Sequence, residues 1–385
     1  AEHFLIVAEG AEPSLRGSAV AAGLARLDAA LPDLYAALRW AVAEREPRTA
    51  VRLTGALWVF WLMRGRLAEG REMAEASLAL DGAPSPERIR ALVTLSFMCW
   101  FGGDVPAALA ALREAFQLTE AIGDDWAWAT TPLGLAAVEM FRSEEPFVPL
   151  RVEELLPSFR RAGDDWMTCQ ALQTLGGAAW YRGQYDRAER AFADAMALYR
   201  AAGHPTLMAS LLAHGLMLAL VGHLDAGAAE VDEAIARTYE AGDLVDLGLA
   251  LCHRAAVARY GGHHDVARRY YAQALRTSRD AGRGWAMQWA LDGLGSTEAL
   301  GLGVSPARLE GCVQLLARAE AMARETGIGL PPRERQDHAK DLERARRRLG
   351  ERAFRAAFAR GQRLSVEEAT ELALALVAGG GASSV

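Results

Sequence analysis

Glycine punctuates this chain at a fixed interval. Helix-ending glycines fall at Gly123, Gly163, Gly203, Gly242 and Gly282, spaced 40, 40, 39 and 40 residues apart. A second series lies between them at Gly103, Gly183, Gly222 and Gly262, with Ser143 in the slot 40 before Gly183. Glycine just past a helix accepts the left-handed backbone that terminates it. Two stops per period predict two helices per repeat, each of roughly 16–18 residues and about 25 Å at 1.5 Å per residue. A unit of that kind cannot bury its apolar face alone and must stack on its neighbours.

The residues between the stops agree with this reading. Asp124, Asp125, Asp164, Asp165 and Asp243 follow the first glycine series and suit the N-cap of the next helix and its positive dipole end. Asp186, Asp225 and Asp265 fall in the first turn of the second helix. Small residues recur on that helix at Ala108, Ala188, Gly227 and Ala267, and seven residues later at Ala115, Ala195, Ala234 and Ala274. They form a seam along which paired helices can approach closely. Helix formers are frequent and alternating strand-like runs are missing.

The run Leu175-Gly176, Trp180-Tyr181, Gly183, Tyr185, Ala188, Phe192, Ala195 resembles the tetratricopeptide (TPR) repeat. That family's usual period is about 34, and longer helices account for the difference. The fold expected is all-α: a TPR-like α-solenoid, a right-handed superhelix of antiparallel helix pairs. Residues 1–46 read as a helical entry segment, with Leu24, Leu27, Leu31, Leu34 and Leu38 on one face of one helix, or of two joined near Pro32. Residues 47–330 hold about seven helix pairs, and residues 331–385 hold capping helices and a frayed tail from Gly379. Pro132, Pro146, Pro149 and Pro157 are expected to shorten or kink the third pair.

Several function classes drop out on composition. Over 385 residues the net charge is −7, which argues against a protein that coats nucleic acid. Lys340 is the only lysine, and no P-loop, GxGxxG, GxSxG or HExxH motif occurs. Cys99, Cys169, Cys252 and Cys312 lie far apart and form no CxxC pair. No apolar run reaches about 18 residues, and no signal peptide opens the chain. Its first residue is alanine, so a piece of a larger protein is expected. The stretch Arg333 to Arg363 is +6 against −13 for the remainder. Its charges are interleaved with Leu342, Leu349, Phe354 and Phe358 at helical spacing, which reads as a packed cap rather than a nucleic-acid arm.

Candidate chemistry is sparse. The pairs Asp124-Asp125 and Asp164-Asp165 sit at turns 40 residues apart, where capping explains them. Cys252-His253 and His263-His264 invite a metal, but neighbours on a helix point about 100° apart. No catalytic residue, metal or cofactor is expected. Binding is. In repeats of this kind the first helix lines the concave surface at positions ten, six and three before its glycine. The three-before register holds Leu62, Trp100, Met140, Trp180, Ala219 and Arg259; six before holds Val59, Phe97, Ala137, Gly177, Leu216 and Ala256; ten before holds Gly55, Val93, Leu133, Gln173, Leu212 and Cys252. The candidate ligand-binding residues are Phe97, Trp100, Met140, Gln170, Gln173, Trp180, Arg259, Trp289 and Asp292. Phe101, Phe141, Tyr181 and Tyr260, one position round, are expected to pack between repeats, as are Trp126, Trp128 and Trp166.

The flanks carry a further resemblance. Leu24 to Asp28, Leu31 to Leu34 and Ala36 to Trp40 are similar to the segment entering the repeats of large actinobacterial regulators. Leu349-Gly350-Glu351, Phe354, Phe358, Ala359 to Gly361 and Leu364 to Ala369 resemble the helices that close it, before a LuxR-type DNA-binding domain. That resemblance implies a cytoplasmic sensor module of a transcriptional regulator or signal-transducing ATPase. Its partners would be a small-molecule effector or protein segment and the adjoining ATPase and DNA-binding domains, with no direct contact to nucleic acid or membrane. Two alternatives stay open: a constitutive protein-interaction scaffold and an enzyme built on a helical solenoid.

Overall fold

The computed structural model describes residues 1–16, 19–80, 82–123, 125–139, 147–202, 208–241, 244–280, 284–299 and 304–379. Among them lie nineteen α-helices, one 3-10 turn (Glu12–Arg16) and no strand. Helices α1 (Glu2–Ala11) and α2 (Val20–Ala43) lead in. Seven neighbouring pairs follow: α3 (Pro47–Met63) with α4 (Leu67–Leu78), α5 (Pro86–Phe101) with α6 (Val105–Ile122), α7 (Asp125–Glu139) with α8 (Phe147–Ala162), α9 (Asp165–Tyr181) with α10 (Tyr185–Ala202), α11 (Met208–Leu220) with α12 (Leu224–Ala241), α13 (Leu244–Tyr260) with α14 (His264–Asp280), and α15 (Gly284–Ala299) with α16 (Pro306–Thr326). Helices α17 (Pro332–Leu349), α18 (Glu351–Gly361) and α19 (Val366–Gly379) complete the chain. No helix among the described residues is long and apolar enough to cross a membrane.

Turn chemistry sets these boundaries. Gly103 turns the chain at φ 90° after α5, and Asp104 beside it caps α6, its Oδ1 accepting from the Ala107 N–H at 3.1 Å. Gly123 ends α6 in the left-handed region at φ 74°, its N–H donating to the Thr119 carbonyl at 3.0 Å. Asp164 repeats the role of Asp104 on α9, accepting from the Met167 N–H at 2.9 Å. Asp124, Asp243, Ser143, Gly203, Gly242 and Gly282 lie outside the described residues, as does the chain beyond Gly379.

The small-residue seam is fully buried: Ala108, Ala115, Ala188, Ala195, Ala234, Ala267 and Ala274 are all at 0% exposure. A Cβ on Gly176 would stand 2.7 Å from Phe192 Cε1, so that aromatic ring seats directly on the α9 backbone. A Cβ on Gly227 would overlap the Gly215 carbonyl oxygen, which sets α12 backbone against α11 backbone. Pro132 and Pro157 lie inside α7 and α8, which run for 15 and 16 residues. Pro149 sits in the first turn of α8, where its missing N–H has no helical partner to lose. Pro146 lies outside the described residues.

The first helices of the pairs form the inner wall, and that wall curls back on itself. Helix α13 touches α3, and Val51 of α3 shares one core cluster with Leu249 and Ala250 of α13. Helices α18 and α19 cover the last pair, with Gly361 against the Gln314 backbone and Ala369, Ala373 and Leu376 buried alongside Leu315 and Ala319. Helix α17 takes another course. It lies on α15 and α16, and its first residues reach Tyr260 and the turn at Gly183.

Candidate functional site

Within the curl the inner helices leave a cavity of about 230 Å³. At about 30 Å³ per liquid water, that is room for about eight waters. Its walls follow the three registers through the first four pairs: Leu62, Trp100 and Trp180; Val59, Phe97, Ala137 and Gly177; Gly55, Val93, Leu133 and Gln173. The small residues Gly55, Ala137 and Gly177 leave the space, and large aromatic groups bound it at two ends. At one end the Trp58 and Phe97 rings stack with centroids 5.1 Å apart, while Trp166 meets Trp58 edge-on at 6.3 Å. At the other, Trp180 meets Trp289 at 6.0 Å and His253 at 6.4 Å, and His253 stacks on Trp289 at 6.0 Å. Such offset and edge-on pairs are the arrangement that aromatic quadrupoles favour.

Polar groups are few. Gln170, Gln173, Thr130 and Thr174 lie on the lining, and the Gln173 Nε2 and Trp180 Nε1 donors are buried with no hydrogen-bond partner. The charged lining residues are Glu12, in the 3-10 turn, Arg90, near the start of α5, and Asp246, in the first turn of α13. Arg90 is exposed and the other two are partly so, which makes them a rim. His253 Nδ1 donates to the Leu212 carbonyl at 3.1 Å, and Cys252 Sγ donates to the Ala286 carbonyl at 3.4 Å. This side-by-side pair is engaged with backbone. No group of three or more metal-ligating side chains gathers among the described residues.

Beyond Trp180, His253 and Trp289 lies a second cavity of about 40 Å³, lined by Arg259, Tyr271, Asp292 and Glu334 among others. Here the chain supplies the cover. The segment entering α17 docks through Gln288 Nε2, which donates to the Ile328 carbonyl at 3.0 Å, and through Tyr260 Oη, which donates to Glu334 at 3.0 Å. His338 Nδ1 lies 2.5 Å from Asp292 Oδ1. The Arg259 guanidinium sits 4.8 Å from the Tyr260 ring centre. Burial works against its charge, but Tyr271, Tyr260 and Asp292 outweigh that and raise its pKa.

The residues expected to bind a ligand therefore divide. Phe97, Trp100, Gln170, Gln173, Trp180 and Trp289 share the large cavity; Met140 lies outside the described residues. Trp100 and Trp180 are buried, at 9% and 5% exposure, yet both stand on the cavity wall. Arg259 and Asp292 are not placed as anchors in an open groove, because residues 328–338 fold over them and Asp292 is taken by His338. Phe101, Tyr181 and Trp166, expected only to pack between repeats, also line the cavity. Trp58, Asp246 and His253 also line the cavity, although none of the three is among the expected ligand-binding residues. The signal at Trp58 is its place in a slot where other repeats carry Ser96 or Gly176. Asp246 and His253 join only because α13 comes round to α3.

No protein-family model and no curated protein matches the chain. Among solved structures it is similar to a Rap protein complexed with competence and sporulation factor, with a TM-score of 0.57 at 14% identity over 88% of this chain and 99% of that one. The TPR domain of P58(IPK) aligns over 87% of this chain and 99% of its own, with 12% identity and a TM-score of 0.23. Helix pairs stacked in sequence, no strand among the described residues and the first of these likenesses make the chain an all-α, TPR-like α-solenoid.

Proposed function

We propose that this chain is a non-catalytic sensor and interaction module whose superhelix holds an effector, a small molecule or a protein segment, in the large inner cavity. The observation that carries this reading is an apolar, aromatic-walled cavity of about 230 Å³ with a few inward polar groups, the usual form of a ligand site. The Rap protein of similar fold is complexed with competence and sporulation factor, which supports a recognition role for a solenoid of this kind. The walls come from both ends of the curl, α3 and α5 on one side and α13 and α15 on the other. A ligand touching both ends favours one curvature over another, and small rotations between repeats add along the array. In a cytoplasmic transcriptional regulator or signal-transducing ATPase, that change would pass to adjoining ATPase and DNA-binding domains.

Native mass spectrometry tests the reading. The chain, incubated with cell extract, should retain a ligand at one per chain, and Ala137→Leu, which fills the cavity, should not. Small-angle scattering should then show a change of dimensions on loading. Equal retention by the variant would remove the cavity from the function and favour the constitutive scaffold.

A further inference from the structure

We propose that the cavity takes an uncharged, ring-bearing and largely apolar molecule with at least one carbonyl-type oxygen, received by Gln173 and Trp180. This rests on reading the cavity as the binding site. Gln173 and Trp180 are seven residues apart on α9, two turns, and so share one face of that helix. Both present N–H groups that meet no acceptor within the chain, although Trp180 is only 5% exposed. A buried donor without an acceptor is costly, and a ligand oxygen removes that cost.

Charge is argued by what surrounds the space. A carboxylate would need a buried cation, yet the cation on the lining is Arg90, at the exposed rim. Arg259 lies in the other cavity among Tyr260, Tyr271 and Asp292. An amine would find Glu12 and Asp246 only at the same rim. An unpaired charge carried inward would be heavily penalised. Shape is argued by the walls: Trp58 and Phe97 at one end and Trp180 and Trp289 at the other offer ring faces and edges to a flat molecule.

Three matched probes separate these features: 2-acetylnaphthalene carries the oxygen, 2-ethylnaphthalene lacks it, and 2-naphthoate adds a negative charge. Their affinities for the full chain are measured by calorimetry, with Gln173→Leu and Ala137→Leu alongside. The ketone should bind about tenfold more tightly than either relative, the equivalent of about 1.4 kcal/mol. Gln173→Leu should erase most of the preference for ketone over ethyl compound, with Gln173→Met as a substitute if the leucine variant melts early. Ala137→Leu should abolish binding of all three. A ketone no tighter than the ethyl compound, or naphthoate binding as well as the ketone, overturns the ligand class and leaves the cavity as a site. No binding by any probe, or binding that survives Ala137→Leu, overturns the cavity reading as well.

Discussion

The two halves of the inner wall are built from the same repeat and end in opposite states. Around Phe97, Ala137 and Gln173 small and aromatic residues enclose open space, and polar donors lack partners. Around Arg259, Asp292 and Tyr271 the space is nearly gone, and ionisable groups face one another beneath α17. One surface is therefore left open, while the chain itself covers the other. The contrast shows that register alone does not make a binding site; what covers the register decides.

Breaking the covered half should have the largest effect. Asp292→Leu leaves His338 and Arg259 buried without that carboxylate, and a loss of about 3 kcal/mol is expected in urea unfolding. An unchanged midpoint would show that α17 is held by packing alone. Acidity probes the same contact. Burial opposes charge on His338, but Asp292, Glu320 and Asp341 outweigh it and raise its pKa; burial is the main cause raising Glu334 and Asp341. A group with a raised folded pKa stabilises at low pH and loses that contribution as pH climbs through the folded value. For His338 the loss runs upward from about 6.5. The urea midpoint should therefore fall as pH rises above about 6.5, and His338→Gln should flatten that fall.

Paired substitutions in the two halves sharpen the comparison further. Gly293→Ala would drive a Cβ into the buried Tyr271 ring, at an expected cost of about 1–2 kcal/mol. Ala137→Leu on the open side should be neutral or gain up to about 1 kcal/mol, because it fills space. Gln173→Leu removes a buried donor that has no partner and should stabilise the fold by about 1 kcal/mol, the lower end of what such a donor costs. Thermal and urea melts of the three variants together would expose any reversal of that order.

Much of the large cavity's lining was legible because its determinants are local. A glycine stop counts residues along one helix, so positions three, six and ten before it locate Trp100, Phe97 and Val93 without knowledge of the fold. The count fails in later pairs. Leu212 and Ala219 hold the same registers on α11 and are core, Leu216 lines only the small second cavity, and His253, off those registers, reaches the large one. Trp166 looks like filler in the sequence because its meeting with Trp58, 108 residues earlier, is invisible to a repeat of 40.

The amino-acid order alone determined the paired helices, their turns and caps, the buried alanine seam and the side of each early helix that faces inward. Each depends on neighbours within one or two turns of helix or in the next repeat. Tertiary structure alone decided that α13 returns to α3, that the groove becomes a cavity, and that α17 covers Arg259 and Asp292. Curvature is a sum of small rotations over many interfaces, and a slight change in each shifts the far end by a whole helix. No single motif carries that sum.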